Sequence, residues 1–247
     1  NTILRLFFPA LLLPVFSSAQ MTVNSPIIPQ SWVIQLAGSG ISISNITYTG
    51  SPYAIGDFNS SAGIGLVSNS IYQGVMLSTA HCQHSIGPNT TPSNSDDLHE
   101  AGDPLLTAIV GVNTYDAAVI DFDFIPDSNS IRFKYIFASE EYDEFVCSCY
   151  NDAFAFMLSG DTITTPINLA RVPGTMLPVS INNVNGGFVG SLASGSNCAC
   201  NLGNTQFYVG NSDGTEIEMD GFTVPLEATA VVIPHHTYHL KIAIADA

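Results

Sequence analysis

Residues 131–160 read IRFKYIFASEEYDEFVCSCYNDAFAFMLSG. Ile131, Phe133, Tyr135 and Phe137 alternate with Arg132, Lys134 and Ile136, the two-residue period of a half-buried strand. Ala153 to Leu158 is a second apolar run, with Phe154, Phe156 and Leu158 on one face. Between the two strands stand five carboxylates, Glu140, Glu141, Asp143, Glu144 and Asp152, beside Asn151 and two cysteines. Rigid strands carrying a charged loop are a common frame for a binding site. Like charges this close repel, and a hard cation with oxygen ligands relieves them. The residues expected to gather calcium are Glu140, Glu141, Asp143, Asn151 and Asp152, with Phe145 and Tyr150 offering aromatic contact to a ligand. The alternative is an acidic loop bathed in solvent.

Outward from this stretch the chain keeps a strand-and-turn grammar. Ala117–Phe124 and Tyr238–Ala245 read as strands, as do Trp32–Leu36, Ile41–Tyr48, Gly74–Thr79, Ile163–Ala170, Val179–Val184, Phe207–Val209, Phe222–Leu226 and Thr229–Ile233. Residues 20 to 31 show no clear element, and Tyr53–Val67 is Gly-rich. Asp103-Pro104 predicts a short helix over Leu105–Val110, because Asp caps well and Pro suits the first turn. Many short strands with Gly, Pro and Asn between them and almost no helical period predict an all-β fold. The expected architecture is an antiparallel β-sandwich or jelly roll with long loops and at most one or two short helices.

The segments SEEYDEF and YNDAFAFMLSG, with DAAVIDFDFIP at Asp116 to Pro126, PVSINNVN at Pro178 to Asn185 and YHLKIAIADA at Tyr238 to Ala247, resemble the bacterial choice-of-anchor L domain. The resemblance covers roughly residues 50 to 247, after an N-terminal strand lead-in at 20–49. It implies a β-rich domain of secreted or cell-surface proteins and supplies no catalytic mechanism. Members continue past the IADA segment, so this chain is expected to be a piece of a longer one.

Arg5, the apolar run Leu6–Phe16 and Ser17-Ser18-Ala19 read as a secretory signal peptide over residues 1–19. The run is too short, and too rich in Pro, for a membrane span of about 20 residues. Twenty-one acidic against five basic residues give a formal net charge of −16, with no Lys or Arg between Arg5 and Arg132. That excludes a basic nucleic-acid footprint and disfavours an anionic membrane surface. With 46% hydrophobic residues this is a folding chain and not an acidic tail.

Five cysteines, Cys82, Cys147, Cys149, Cys198 and Cys200, form two C-x-C pairs and one left over. A bridge between residues i and i+2 is strained. In an oxidising compartment, Cys147 or Cys149 is therefore expected to join Cys198 or Cys200. Zinc held by four thiolates is the weaker alternative, because zinc sites space their cysteines more widely.

Other motifs point less far. Ser78-Thr79-Ala80-His81-Cys82 resembles a protease histidine box without its nucleophile turn. His235 and His236 with His239 suggest a metal, yet His239 is expected to pack. Asn211, Asp213, Gly214 and Glu216 have turn chemistry and not a full calcium loop. Asp121 and Asp123 share one strand face, expected to be solvated. The function these readings favour is a non-catalytic, secreted, surface-binding or adhesion domain that takes a glycan or surface-protein ligand and contacts neighbouring domains. A structural spacer of a long surface fibre is the second reading. A glycan hydrolase using Glu140, Glu141 and Asp152 is a third.

Overall fold

The computed structural model describes residues 21–38, 40–64, 70–193 and 198–247. The signal-peptide reading falls on residues outside these. In chain order the elements are β1 (Thr22–Asn24), α1 (Pro29–Ala37), β2 (Ile41–Thr49), β3 (Ile55–Ile64) and β4 (Ile71–Leu77), then α2 (Pro104–Val110), β5 (Tyr115–Pro126), β6 (Ser130–Tyr135) and β7 (Ala138–Ser139). They continue with β8 (Ala153–Gly160), β9 (Ile163–Asn168), β10 (Tyr208–Gly210), β11 (Gly221–Thr223), β12 (Leu226–Val231) and β13 (Tyr238–Asp246). The strands form antiparallel sheets, as expected. The largest has the order β2-β5-β13-β8-β9, and β6 pairs with β12. Two three-stranded sheets, β1-β3-β4 and β10-β11-β7, complete the set.

The sandwich closes where the five-stranded sheet meets the β6–β12 ribbon. On β5, Ile120, Phe122 and Phe124 face inward; β8 adds Phe154, Phe156 and Leu158, and β13 adds Tyr238 and Leu240. The ribbon answers with Tyr135, Leu226 and Ala228. Phe133 and Tyr135 meet Phe156 edge-on, at centroid distances of 4.8 and 5.0 Å. Such contacts add to simple area burial.

The outer face of the same sheet is read from the other parity. Ala117, Val119, Ala153, Ala155, Ala243 and Ala245 lie under α2, around Leu106. These small residues let the helix sit close, and β5 is therefore buried on both faces before it begins to alternate at Asp121. Asp103 caps α2 by accepting from the amides of Leu105 and Leu106, at 3.0 and 3.1 Å. It also receives Lys241 Nζ at 2.6 Å, which ties the helix to β13. Beyond α2 the outer face turns polar. His239 stands between Asp121 and Asp123, its Nδ1 2.9 Å from Asp123. The carboxylates expected to be solvated thus share the His239 ring across the strands, and His239 is half-exposed and not packed.

Two segments differ from the expectation. Residues 32–36 lie in helix α1, because Pro29 and the chain after it supply a start that costs no amide donor. Residues 179–184 form turns in which Val179, Ile181 and Val184 are buried like strand residues. Their backbone is spent on a loop scaffold, described below, and not on a ladder. β1 and β3 are two strands that the sequence reading left unassigned. They pair through Val23↔Phe58 and enclose a smaller core of Met21, Ile64, Ile217 and Phe222.

Phe156, in contact with Phe133, Tyr135 and Phe154, is the packing centre of the sandwich. Phe156→Ala is expected to cost about 3–5 kcal/mol in chemical denaturation. A loss below about 1 kcal/mol would show that the two layers do not depend on this contact.

Candidate functional site

The acidic loop leaves β7 at Ser139 and enters β8 at Ala153. It is not a solvated excursion. Tyr142 and Val146 are fully buried in the main core, and Tyr142 donates its hydroxyl to the Val184 carbonyl at 2.6 Å. Asn182, from the PVSINNVN turn, clamps the loop from outside. Its Oδ1 accepts from the Cys147 amide at 2.6 Å, its Nδ2 donates to the Ser148 carbonyl at 2.7 Å, and its amide donates to Asn151 Oδ1 at 3.1 Å. Asn201 adds a bond from its amide to the Asn182 carbonyl.

Two disulfides complete the clamp, Cys147–Cys200 and Cys149–Cys198. They form a short ladder between the two C-x-C loops, in line with the sequence reading. Gly190 brings the second loop against the first: a Cβ there would run into the Glu144 carbonyl, so only glycine fits. Cys82 is a buried free thiol. Burial pushes its pKa up to about 12, so it is an inert core group and not a nucleophile. His81 pairs through Nδ1 with Asp96 and meets the Tyr53 ring at a tilt, with centroids 4.8 Å apart.

The predicted ligand residues separate. Glu141 and Asp152 come together, and Asp246, from the end of β13, joins them; one oxygen from each lies within 4.8 Å of the others. Ser139 Oγ lies within hydrogen-bond reach of both Glu141 and Asp152, the latter at 3.1 Å, and has one proton to share between them. Glu140 is outside that group and lies near enough to Asp220 and Glu218, as well as Glu141, to feel their charge. Asp143 accepts the Tyr208 hydroxyl at 2.7 Å, and Asn151 is used by Asn182. Tyr150 is exposed and meets Phe145 edge-on at 5.3 Å.

Strand register is what brings Asp246 to the group, and no local sequence pattern marks it. In the β13–β8 register Ala245 faces Ala153, so the next pair along is Asp246 and Asp152. Like charges opposite each other on a sheet destabilise it. Asp152 is only 8% exposed, and its Oδ1 is buried with no hydrogen-bond partner. Burial, and then Glu141, hold its carboxyl well above the usual range; burial and Glu141 raise Asp246 as well.

The second acidic group is built differently. Glu218 is buried and satisfied, receiving the amides and hydroxyls of Thr90 and Thr91. Both oxygens of Glu140 are buried without a hydrogen-bond partner of normal geometry. Burial pushes the Glu140 pKa up to about 7, with Asp220, Glu218 and Glu141 adding to the rise and the Asn94 backbone opposing it. Asp220 borders an open cleft of about 670 Å³, whose other walls include Asn89, Asp143, Glu144, Phe188 and Ser191. Phe188 and Val189 are exposed on the disulfide-pinned loop. The three C-terminal histidines do not converge: His235 faces Asp127 and His236 faces Asp161.

Among the described residues no helix is long and apolar enough to cross a membrane. The choice-of-anchor L domain family matches residues 22–247, so the match takes in the lead-in from residue 22 onward. No curated protein and no solved structure was found to match the chain.

Replacing all four paired cysteines by serine is expected to cost about 4 kcal/mol, the closure entropy of a loop of this length. Removing Cys149 and Cys198 alone should cost well under half of that, because the outer bridge already closes the loop. Calorimetry on both variants measures the difference, and equal losses would contradict it. Glu140 gives a pH signature. The folded state keeps its proton to about pH 7 and the unfolded chain gives it up near 4.5, so stability falls as pH rises between the two. Glu140→Gln is expected to stabilise the protein at pH 8 by on the order of 1 kcal/mol, after allowing for partial exposure, and to leave it unchanged at pH 4. Melting temperatures of the two proteins across this range provide the check.

Proposed function

The chain belongs to the choice-of-anchor L domain family, a cell-surface-associated domain, and from that premise we propose that it is a non-catalytic, calcium-dependent binding domain serving adhesion. The cleft beside the acidic loop takes the ligand. What carries this reading is its lining: hydrogen-bonding groups from Asn89, Asp143, Glu144, Ser191 and Asp220 stand beside the exposed ring of Phe188. A sugar presents hydroxyls at its edges and an apolar face, and this arrangement suits both. A polar side chain of a surface protein with an apolar neighbour is the other occupant of the same chemistry. The two disulfides fit an oxidising, extracellular setting. They hold the cleft wall rigid before the ligand arrives, which lowers the entropy lost on binding.

The reading is tested on an array of surface glycans in millimolar calcium, with the hits measured by calorimetry. Binding that falls at least tenfold in Phe188→Ala and Asp220→Asn, with the fold intact by circular dichroism, supports it. Failure to bind any glycan or surface protein, together with end-to-end association of tandem copies, would favour the structural spacer instead.

A further inference from the structure

The inner face of the five-stranded sheet, apolar from Tyr238 to Ile244 on β13 and from Leu158 back to Phe154 on β8, ends in carboxylates. Asp152 is the most constrained. It is more than nine-tenths buried, one oxygen accepts from Ser139, and the other has no partner. Glu141 and Asp246 converge on it to within 4.8 Å. The described basic side chains are engaged elsewhere: Arg132 with Glu227, Lys241 with Asp103, Arg171 with Met176, and Lys134 stands opposite Glu227. A cation would satisfy all three carboxylates and the orphaned oxygen together.

We infer that Glu141, Asp152 and Asp246, with Ser139 Oγ, form a calcium site. The assignment rests on the calcium dependence proposed above and names where the ion sits. The donors are all hard oxygens, which suits calcium and disfavours zinc. Opposite ligands of calcium lie up to about 4.6–5.2 Å apart, against about 4.0–4.2 Å for magnesium. Oxygens lying within 4.8 Å of one another can all reach a single calcium ion. Water completes the shell from an open cleft of about 530 Å³, which Asp246 lines together with Asp96, Asp97, Glu100 and Asp116. That acidic mouth concentrates cations at the entry. The ion joins three places in the chain: the start of the acidic loop, the start of β8 and the end of β13. It therefore closes the loop onto the central strands.

The experiment is calorimetric titration of the EDTA-treated, dialysed full chain with calcium chloride, alongside thermal unfolding. One ion per chain is expected, with a rise of several degrees in melting temperature. Asp246→Asn, at the rim, is expected to weaken binding at least tenfold while the calcium-free protein melts no lower than wild type. Asp152→Asn should do the same, and Asp127→Asn, an exposed acid past the end of β5 opposite to the one that meets Asp246, should change affinity less than twofold. Calcium binding unchanged in Asp246→Asn and Asp152→Asn would overturn this site and leave the calcium dependence to other acids. No heat and no thermal shift in wild type would overturn both. Displacement of calcium by an equal concentration of magnesium would overturn the choice of ion. Glycan binding by the Phe188 cleft is read independently of all these.

Discussion

An apolar sandwich layer has to end, and in this protein it ends at a buried carboxylate. Phe154, Phe156 and Leu158 fill the core from β8, and one step before that run Asp152 sits on the same strand line. A charge there loses its hydration and gains only Ser139 in return. The surrounding chain is arranged around this cost. Ser139 is shared with Glu141, Asp246 closes the next rung of the β13 ladder, and Asp116 at the start of β5 is buried nearby with its oxygens taken by the amides of Leu98 and Glu100. Buried polar groups of this kind hold only when compensated. The acidic loop is thus part of the sandwich edge and not an appendage to it.

The same logic explains the clamp. A loop with five carboxylates would by itself swell. Here Tyr142 and Val146 anchor it inward, Asn182 satisfies its backbone, and two disulfides fasten it to residues 198–200. Because the second loop carries Phe188 and Val189, fixing the acidic loop also fixes one wall of the larger cleft. Stability at the sheet edge and shape at the cleft are held by one set of contacts.

The fold was legible where large side chains keep to one face. Ile131 to Tyr135 alternates because one face meets the core and the other does not, and in Phe154 to Leu158 and Tyr238 to Ile244 the large residues face the core while Ala155 and Ala243 lie under α2. Where burial follows another rule the pattern misleads. Val179, Ile181 and Val184 are buried without forming a strand, since Asn182 and Asn183 between them bond to loop carbonyls. The Gly- and Ser-rich run of β3 hides a strand whose partners, Val23 and Met76, are supplied by distant segments. The stretch 32–36 lacks a helical signature of its own, and its helix begins at Pro29, outside that stretch.

The sequence by itself determined the class of the molecule: an acidic, antiparallel β-sandwich, a short helix capped by Asp103, and four cysteines in two pairs whose spacing forbids bridging within a pair. Each of these depends on local chemistry or on short spacing. Which cysteine meets which, that Glu140 and Glu141 turn to different acidic groups, and that Asp246 completes the set around Asp152 were decided by the tertiary structure. Strand register and loop clamping bring together residues far apart in the chain, and adjacent side chains on a tight turn point to opposite sides. No local pattern carries that information, because it resides in how the ladder of β13 against β8 ends.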